Sequence, residues 1–516
     1  MFRTFLISFL LFPLLATSQY ANVLVGDSLY PNEPSIMINP NNPSEVIGGA
    51  NLSNLYLSTD SGYTWTQQIV TSSLGVWGDP VMAIDTAGDY YFFHLSNPLV
   101  GHWIDRIVCQ KSTDKGLTWN DGSYVGLNGP KHQDKQWVTI DRSNNYIYIT
   151  WTEFDNYGSV DAVYKSRIMF AKSTDAGASW SNPVIISSQE GDCVDSDNTA
   201  EGAVPTLGPN GQIYVAWAID NKIVFNKSLD QGVTWLPSEI NIAAQPGGWD
   251  YSIPGIGRCN GLPITVCDTS NSDNNGAIYV SWTDQKNGTS DTDVWIIKST
   301  DEGATWTSPK RINDDIPGKH QFFTWLAVDQ RTGNLYSVFY DRRNYTDEQT
   351  DVYLAYSEDG GDSFTNVKIS ESPFVPNPQF FFGDYTGIVA QNGMVRPIWA
   401  RMNNNQQTIQ TAMIQFDAIT GLQIIESANE ISLEQNFPNP VRGTTQIGFK
   451  IRTSGKVSIT VYDMYGRVVL TPIVNQYFAY GRHEFTINVT DDFASGMYYY
   501  QLSSEKESIT RKMIVE

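Results

Sequence analysis

Five carboxylates stand at corresponding places along the chain: Glu33, Asp79, Asp134, Glu201 and Asp384 each precede a run of apolar residues that reads as a strand. If those strands start side by side, the five side chains converge. Clustered carboxylates repel one another, which raises some pKa values or recruits a cation, and either outcome suits acid–base chemistry or ligand binding. The plainer reading is that each caps its own strand by bonding nearby backbone N–H groups. Lys135, Arg258 and Tyr385 lie among them. A second group, Glu153, Asp155, Asp220, Asp284, Tyr340-Asp341-Arg342-Arg343 and Arg401, follows the next strand in each unit and should face the same way. The Arg342-Arg343 pair offers a fork for a carboxylate or sulfate, or a salt bridge to Asp341 or Asp384.

For catalysis the candidates are Asp134, Glu201, Asp341, Asp384 and Tyr385. Glu33, Asp79, Lys135, Arg258, Arg342, Arg343 and Arg401 are the candidates for holding a substrate. Two oxygen-rich loops suit calcium, one with Asp192, Asp195, Asp197 and Glu201, the other with Asp284, Asp291 and Asp293, although neither follows an EF-hand spacing. Histidine is scarce, and no paired Cys or His spacing points to zinc.

The elements that position these groups come from a repeated octapeptide. It reads STDSGYTW from Ser58, STDKGLTW from Ser112, STDAGASW from Ser173, SLDQGVTW from Ser228, STDEGATW from Ser299 and SEDGGDSF from Ser357. Its aspartates, Asp60, Asp114, Asp175, Asp230, Asp301 and Asp359, are 54, 61, 55, 71 and 58 residues apart. A period of that length gives one small sheet per repeat. Each copy follows an alternating run and should form a hairpin turn. Ser and Asp bond the backbone, Gly supplies a positive φ, and the closing aromatic plugs the turn against its own sheet. These aspartates are structural.

Upstream of each box lie two more strands joined by a turn, as in WVTIDRSNNYIYITW and LAVDQRTGNLYSVFYD. Such pairs begin at Pro34, Pro80, Gln136, Ala203, Leu262, Phe323 and Tyr385, which predicts a seven-bladed propeller, with six blades as the alternative. The last unit has three strands and no octapeptide, and ANVLVGD near the N-terminus is free to supply its fourth. In a four-stranded blade the boxes lie on the face opposite the five carboxylates.

Composition fits this all-β reading. Of 516 residues, 41% are hydrophobic, 13% aromatic and 17% charged, with 41 Gly and 15 Trp. The formal charge of −22 argues against nucleic acid as a partner. From Ile431 onward the net charge is +1, so the acidity belongs to the earlier part. Residues 1–18 read as a cleaved signal peptide: Arg3, an apolar run from Phe5 to Leu15, then Ala16-Thr17-Ser18. No other segment reaches a membrane-spanning length, and a monomer is expected. Cys109, Cys193, Cys259 and Cys267 would then meet an oxidising compartment, where four thiols allow three pairings or stay free and buried. The preferred pair is Cys193–Cys259, because both precede first strands of adjacent units.

The S-x-D-x-G-x-T-W octapeptide resembles the Asp-box, or BNR repeat, of the sialidase superfamily, and residues 19–418 are similar to its propellers. That superfamily includes glycosidases and non-catalytic propellers, so the resemblance implies glycan binding or hydrolysis, or alternatively adhesion and protein binding. Sialidases grip the sugar carboxylate with three arginines and use a tyrosine nucleophile assisted by a glutamate, with an aspartate as acid and base. Their first arginine lies in an aromatic-Arg-Ile-Pro motif. This chain departs from it, with Asn32 at that place in Tyr30-Pro31-Asn32-Glu33-Pro34.

Residues 433–516, after a linker over 419–432, alternate between polar and apolar positions in the manner of a small β-sandwich. NFPNP from Asn436, VYDMYGRVV, SGMYYYQL and the terminal Lys512-Met513-Ile514-Val515 resemble the type A C-terminal sorting domain of the type IX secretion system of Bacteroidetes. This implies export across the outer membrane, with release or surface attachment.

Overall fold

The computed structural model describes residues 20–403, 405–416, 423–424, 431–451, 454–479, 481–489, 493–504 and 507–516. The expected signal peptide, 1–18, and residues 419–422 and 425–430 of the expected linker lie outside the described residues. Every regular element among the described residues is a β-strand, as the alternating pattern requires. Among the described residues no helix is long and apolar enough to cross a membrane. The chain divides into two units, Met1–Ile425 and Glu426–Glu516.

In the first unit six sheets share one plan, four strands in sequence order, each antiparallel to the next. Their first strands are Ser35–Ile38, Gly78–Ile84, His132–Ile140, Glu201–Leu207, Ile264–Cys267 and Gln321–Val328. A seventh sheet begins with Gly387–Gln391 and continues through Met394–Asn403 and Gln406–Ala412. Its outer strand comes from the other end of the unit, where Asn22–Gly26 of the ANVLVGD segment pairs antiparallel with Gln406–Ala412. Each first strand packs on the next, and Gly387–Gln391 packs on Ser35–Ile38, so these contacts run in a cycle. Ile36, Val81, Trp137, Val204, Ile264, Trp325 and Ile388, one from each sheet, line a cavity of about 270 Å³. Second strands hold the sheets together: Trp151, Trp217, Trp282 and Trp399, at corresponding positions, are fully buried. Truncating such a side chain costs about 3–5 kcal/mol.

All six octapeptides turn the chain between third and fourth strands. The Ser hydroxyl donates to the Asp carboxylate at 2.8 Å in every copy. The Gly N–H donates to the Ser hydroxyl at 2.8–2.9 Å. The same carboxylate accepts the N–H and hydroxyl of the Thr or Ser four residues after it. Each aspartate is thus occupied by its own turn.

The closing aromatic meets its own sheet as expected at Trp119, which lies edge-on to Phe92 at 6.1 Å, but not in the fourth and fifth sheets. Trp235 meets Phe170 of the preceding sheet edge-on at 4.9 Å, and Trp306 meets Phe225 at 5.1 Å. Glycine permits this approach. Gly232 and Gly303 have φ of +81° and +80°, and a Cβ on either would overlap the Phe170 or Phe225 ring. These two turns therefore staple one sheet to its predecessor.

A second expectation is also overturned, because no disulfide joins Cys193 to Cys259. All four cysteines are free and buried. Cys193 lies against the backbone of Asp155 and Asn156, whereas Cys259 pairs with Tyr251 in a short ladder and has the Tyr251 hydroxyl beside its thiol. Each thiol fills a pocket of its own.

The second unit has a three-stranded sheet, Ile431–Leu433, Thr444–Ile451 and Gly481–Asn488. Its other sheet is ordered Val468–Phe478, Gly455–Asp463, Gly496–Ser503 and Ser508–Val515. Ile447 and Phe449 from the first and Val461, Tyr500 and Leu502 from the second share one core.

Candidate functional site

The starts of the first strands are irregular. Register shifts occur between Gly78 and Val81, Asp134 and Trp137, Glu201 and Val204, and Phe322 and Trp325. A left-handed residue sits at each: Asp79 at φ 50°, Lys135 at 50°, Gly202 at 78° and Phe323 at 51°, with Glu33 at 51° before the first sheet. A bulge re-aims a side chain that the strand would otherwise send up or down. Left-handed backbone at a residue other than Gly costs energy and is held only where the surroundings fix it.

The re-aimed groups meet around Lys135. Its Nζ lies 2.6 Å from Asp384 Oδ2, 3.5 Å from Asp79 Oδ2 and 3.7 Å from Glu33 Oε1. Arg258 reaches Asp384 from the segment before the fifth sheet, with Nε to Oδ1 at 2.9 Å and a second close bond to Oδ2. Its Nη1 donates to Asp195 Oδ2 at 2.9 Å, and that oxygen also accepts the Tyr157 hydroxyl at 2.7 Å. Asn51 bonds both Asn32 and Glu33 through its Nδ2, and its Oδ1 accepts the Asp79 N–H at 2.7 Å. Asn260 Nδ2 donates to the Asp384 carbonyl at 3.0 Å. The cluster is almost dry: Glu33 is 1% exposed, Glu201 0%, Asp384 2% and Lys135 6%.

Burial and charge split the acids into two kinds. Burial pushes Glu33 and Glu201 well above the usual carboxylate range, with Asp79 adding to the rise at Glu33 and Asp195 and Asp134 at Glu201. Burial also lifts Asp134, to about 8, reinforced by Asp79 and Asp195 and opposed by Lys135. At Asp384 burial acts in the same sense, but Lys135 and Arg258 outweigh it and hold the carboxyl below its ordinary value. Neither carboxyl oxygen of Glu201 has a hydrogen-bond partner among the described residues. At neutral pH the site therefore combines carboxyls that keep their protons with at least one firmly ionised carboxylate.

The structure gathers Glu33, Asp79, Asp134, Lys135, Glu201, Arg258 and Asp384 into this cluster. Tyr385 lies beneath it, 8% exposed, with ring centroids 5.0 Å from Trp137 and 5.9 Å from Trp325, and its buried hydroxyl has no partner among the described residues. The other candidates stand apart. Asp341 is held by Arg343 at 2.8 Å, and Arg343 also reaches Asp314. Arg401 caps the carbonyls of Ser372 and Pro373. Arg342 donates to Thr350 and to the Pro254 carbonyl and borders a separate cavity of about 590 Å³ with Lys319 and His320.

Among the described residues no group of three or more His, Cys, Asp or Glu is arranged to hold a metal ion. In the two loops read for calcium, Asp195 serves Arg258 and Tyr157, Asp197 accepts the Asp250 N–H, Asp291 the Gly318 N–H, and Asp293 the Asn313 amide. Sequence reasoning missed Asn51, Asn260 and the role of Asp195. Nothing local marks them, since their partners are distant in sequence: Asn51 bonds Glu33 of its own sheet and Asp79 of the next, Asn260 bonds Asp384, and Asp195 accepts from Arg258 and Tyr157.

Residues 435–516 match the family model described as the secretion system C-terminal sorting domain. That module indicates secretion by the type IX system to the cell surface or outside. Solved structures similar to the chain include a Hadza microbial sialidase, Hz136, with 14% identity, 72% of this chain and 73% of that one covered, and a TM-score of 0.42. An α-L-arabinofuranosidase, Arb93A from Fusarium graminearum, has 14% identity, coverage of 67% and 97%, and a TM-score of 0.42. The NanB sialidase from Streptococcus pneumoniae has 8% identity, coverage of 72% and 83%, and a TM-score of 0.43. These are β-propeller glycosidases, and at such scores they say nothing of the present chain's substrate. No curated protein matches the chain by sequence.

Proposed function

We propose that the chain is a secreted seven-bladed Asp-box propeller that binds glycans at the Lys135 cluster. In this reading residues 1–18 are a signal peptide, 19–418 the propeller, 419–432 a linker and 433–516 a β-sandwich that directs export. The cyclic contacts of the first strands and the closing of the seventh sheet by Asn22–Gly26 support seven blades. The observation that carries the site is the convergence of Glu33, Asp79 and Asp384, from the starts of three sheets, on one lysine, through backbone held left-handed at Glu33, Asp79 and Lys135. Strain of this kind gathers where a protein presents groups to a ligand.

Binding without turnover fits the cluster better than a sialidase-type reaction. Asn32 stands in place of an arginine, and Tyr385 is packed between two tryptophans with its hydroxyl buried. Hydrolysis is the second reading, favoured by Asp134, which keeps its proton at neutral pH and so meets the requirement for a general acid. Incubating the secreted protein with a panel of aryl glycosides, and in parallel with immobilised oligosaccharides, separates the two. Binding without release of the aryl group supports a lectin-like role. Turnover lost in Asp134→Asn supports hydrolysis, and neither binding nor turnover removes the glycan reading altogether.

A further inference from the structure

The cluster has an aromatic flank. Trp77 immediately precedes Gly78 and Asp79, and its ring meets Trp103 edge-on at 5.9 Å. Trp103, from the loop between the second and third strands of the second sheet, meets Tyr157 edge-on at 5.5 Å. Tyr157 ends this wall at the carboxylates, with its hydroxyl on Asp195. Trp77 and Trp103 are each 37% exposed, and Leu99 and Val100 in the same loop project almost fully into solvent. Two half-bare indoles beside a polar cluster are a costly surface to leave wet, and patches of this kind mark ligand contacts.

The charges beside the wall decide what it takes. The lysines and arginines named here are already engaged: Arg258 by Asp384 and Asp195, and Lys135 by Asp384, Asp79 and Glu33. Arg106 is held by Asp105, and Lys131 by Glu153 and Asp155. No free guanidinium or ammonium among these faces a ligand carboxylate or sulfate. Hydroxyl groups suit the same carboxyls well, since a protonated acid donates and an ionised one accepts.

Resting on the glycan reading above, we infer that the site is specific for uncharged sugars, which lay a C–H face on Trp103 and Trp77 and turn their hydroxyls to Asp79 and Asp134. This agrees with Asn32 standing where the sialidases carry their first arginine.

Isothermal titration of the full secreted chain with lactose, maltotriose, cellotriose, xylotriose and arabinotriose, and with 3′-sialyllactose and trigalacturonate, tests it. At least one neutral sugar should bind, and Trp103→Ala should weaken it about tenfold or more while Trp103→Tyr restores most of the affinity. Unchanged melting of Trp103→Ala will show that the fold is intact, as expected for a half-exposed side chain. Tighter binding of 3′-sialyllactose or trigalacturonate than of any neutral sugar overturns the specificity and leaves the glycan reading standing. Neutral binding that Trp103→Ala does not weaken overturns the aromatic wall. Failure of every sugar defeats the glycan reading and this inference together.

Discussion

Lys135, in the third sheet, and Asp384, just before the seventh, meet at 2.6 Å in a region that water barely reaches. The pair spans the cycle of first strands. Removing the lysine leaves Asp384 to Arg258 alone and takes the cation from Asp79, and an uncompensated buried charge costs more than a pair contributes in net stability.

Lys135→Met should therefore lower the unfolding free energy by about 3 kcal/mol or more, read from urea denaturation. Adding Asp384→Leu should recover part of the loss. A single variant as stable as the parent would show that the charge is not needed to hold the cluster.

Stability should depend on pH through Asp134. Its folded pKa, about 8, lies above the unfolded aspartate value of about 4. The folded protein therefore binds the proton through that window while the unfolded chain gives it up, so the unfolding free energy falls as pH rises from about 4 to about 8. Urea midpoints at pH 5, 6.5 and 8.5 should decline in that order, and Asp134→Asn should flatten the decline. An unchanged slope in the variant would assign the effect to Glu33 or Glu201.

The box aspartates titrate in the opposite sense. Bonds from Thr118, Thr234 and Thr305 hold Asp114, Asp230 and Asp301 at about 2. Their contribution is complete above the unfolded value and is lost as pH falls toward 2. Asp301→Ala should reduce thermal stability and leave ligand affinity unaltered; a loss of affinity would give the box a direct part in binding.

Gly303→Ala tests the staple itself. The left-handed backbone and the Phe225 ring both oppose a Cβ there, so a loss of about 2 kcal/mol or more is expected in the melting profile. A neutral effect would mean that Phe225 moves aside freely.

Deleting residues 20–26 should open the edge of Gln406–Ala412, which Asn22–Gly26 covers. An uncovered edge invites pairing between molecules. Size-exclusion chromatography should show oligomers or aggregates, and a well-behaved monomer of unchanged melting temperature would deny the closing strand its role.

The sheets were legible because one octapeptide recurs with its Ser, Asp and Gly in fixed places, and those residues form a turn almost regardless of surroundings. The convergence of Glu33, Asp79, Asp134, Glu201 and Asp384 followed from where they stand relative to the strands. Their state did not. Whether Arg258 faces a ligand or Asp384, and whether Tyr385 is open or buried against Trp137, depends on contacts between sheets distant in sequence. The left-handed backbone at Asp79 and Lys135 carries no signature, since neither is Gly or Asn. The disulfide failed for a related reason, because a position before neighbouring strands does not fix where a thiol points.

The seventh sheet is woven from both ends of its unit, with Asn22–Gly26 laid beside Gln406–Ala412. The break in the backbone is thus offset from the joint between sheets. Splicing the region near residue 416 to the region near residue 22 and cutting instead within any octapeptide turn would give a circularly permuted chain. Such a permutant would keep the strand pairings of the first unit, apart from that of Ile414–Phe416 with Gln423–Ile424, while moving the seam to another sheet.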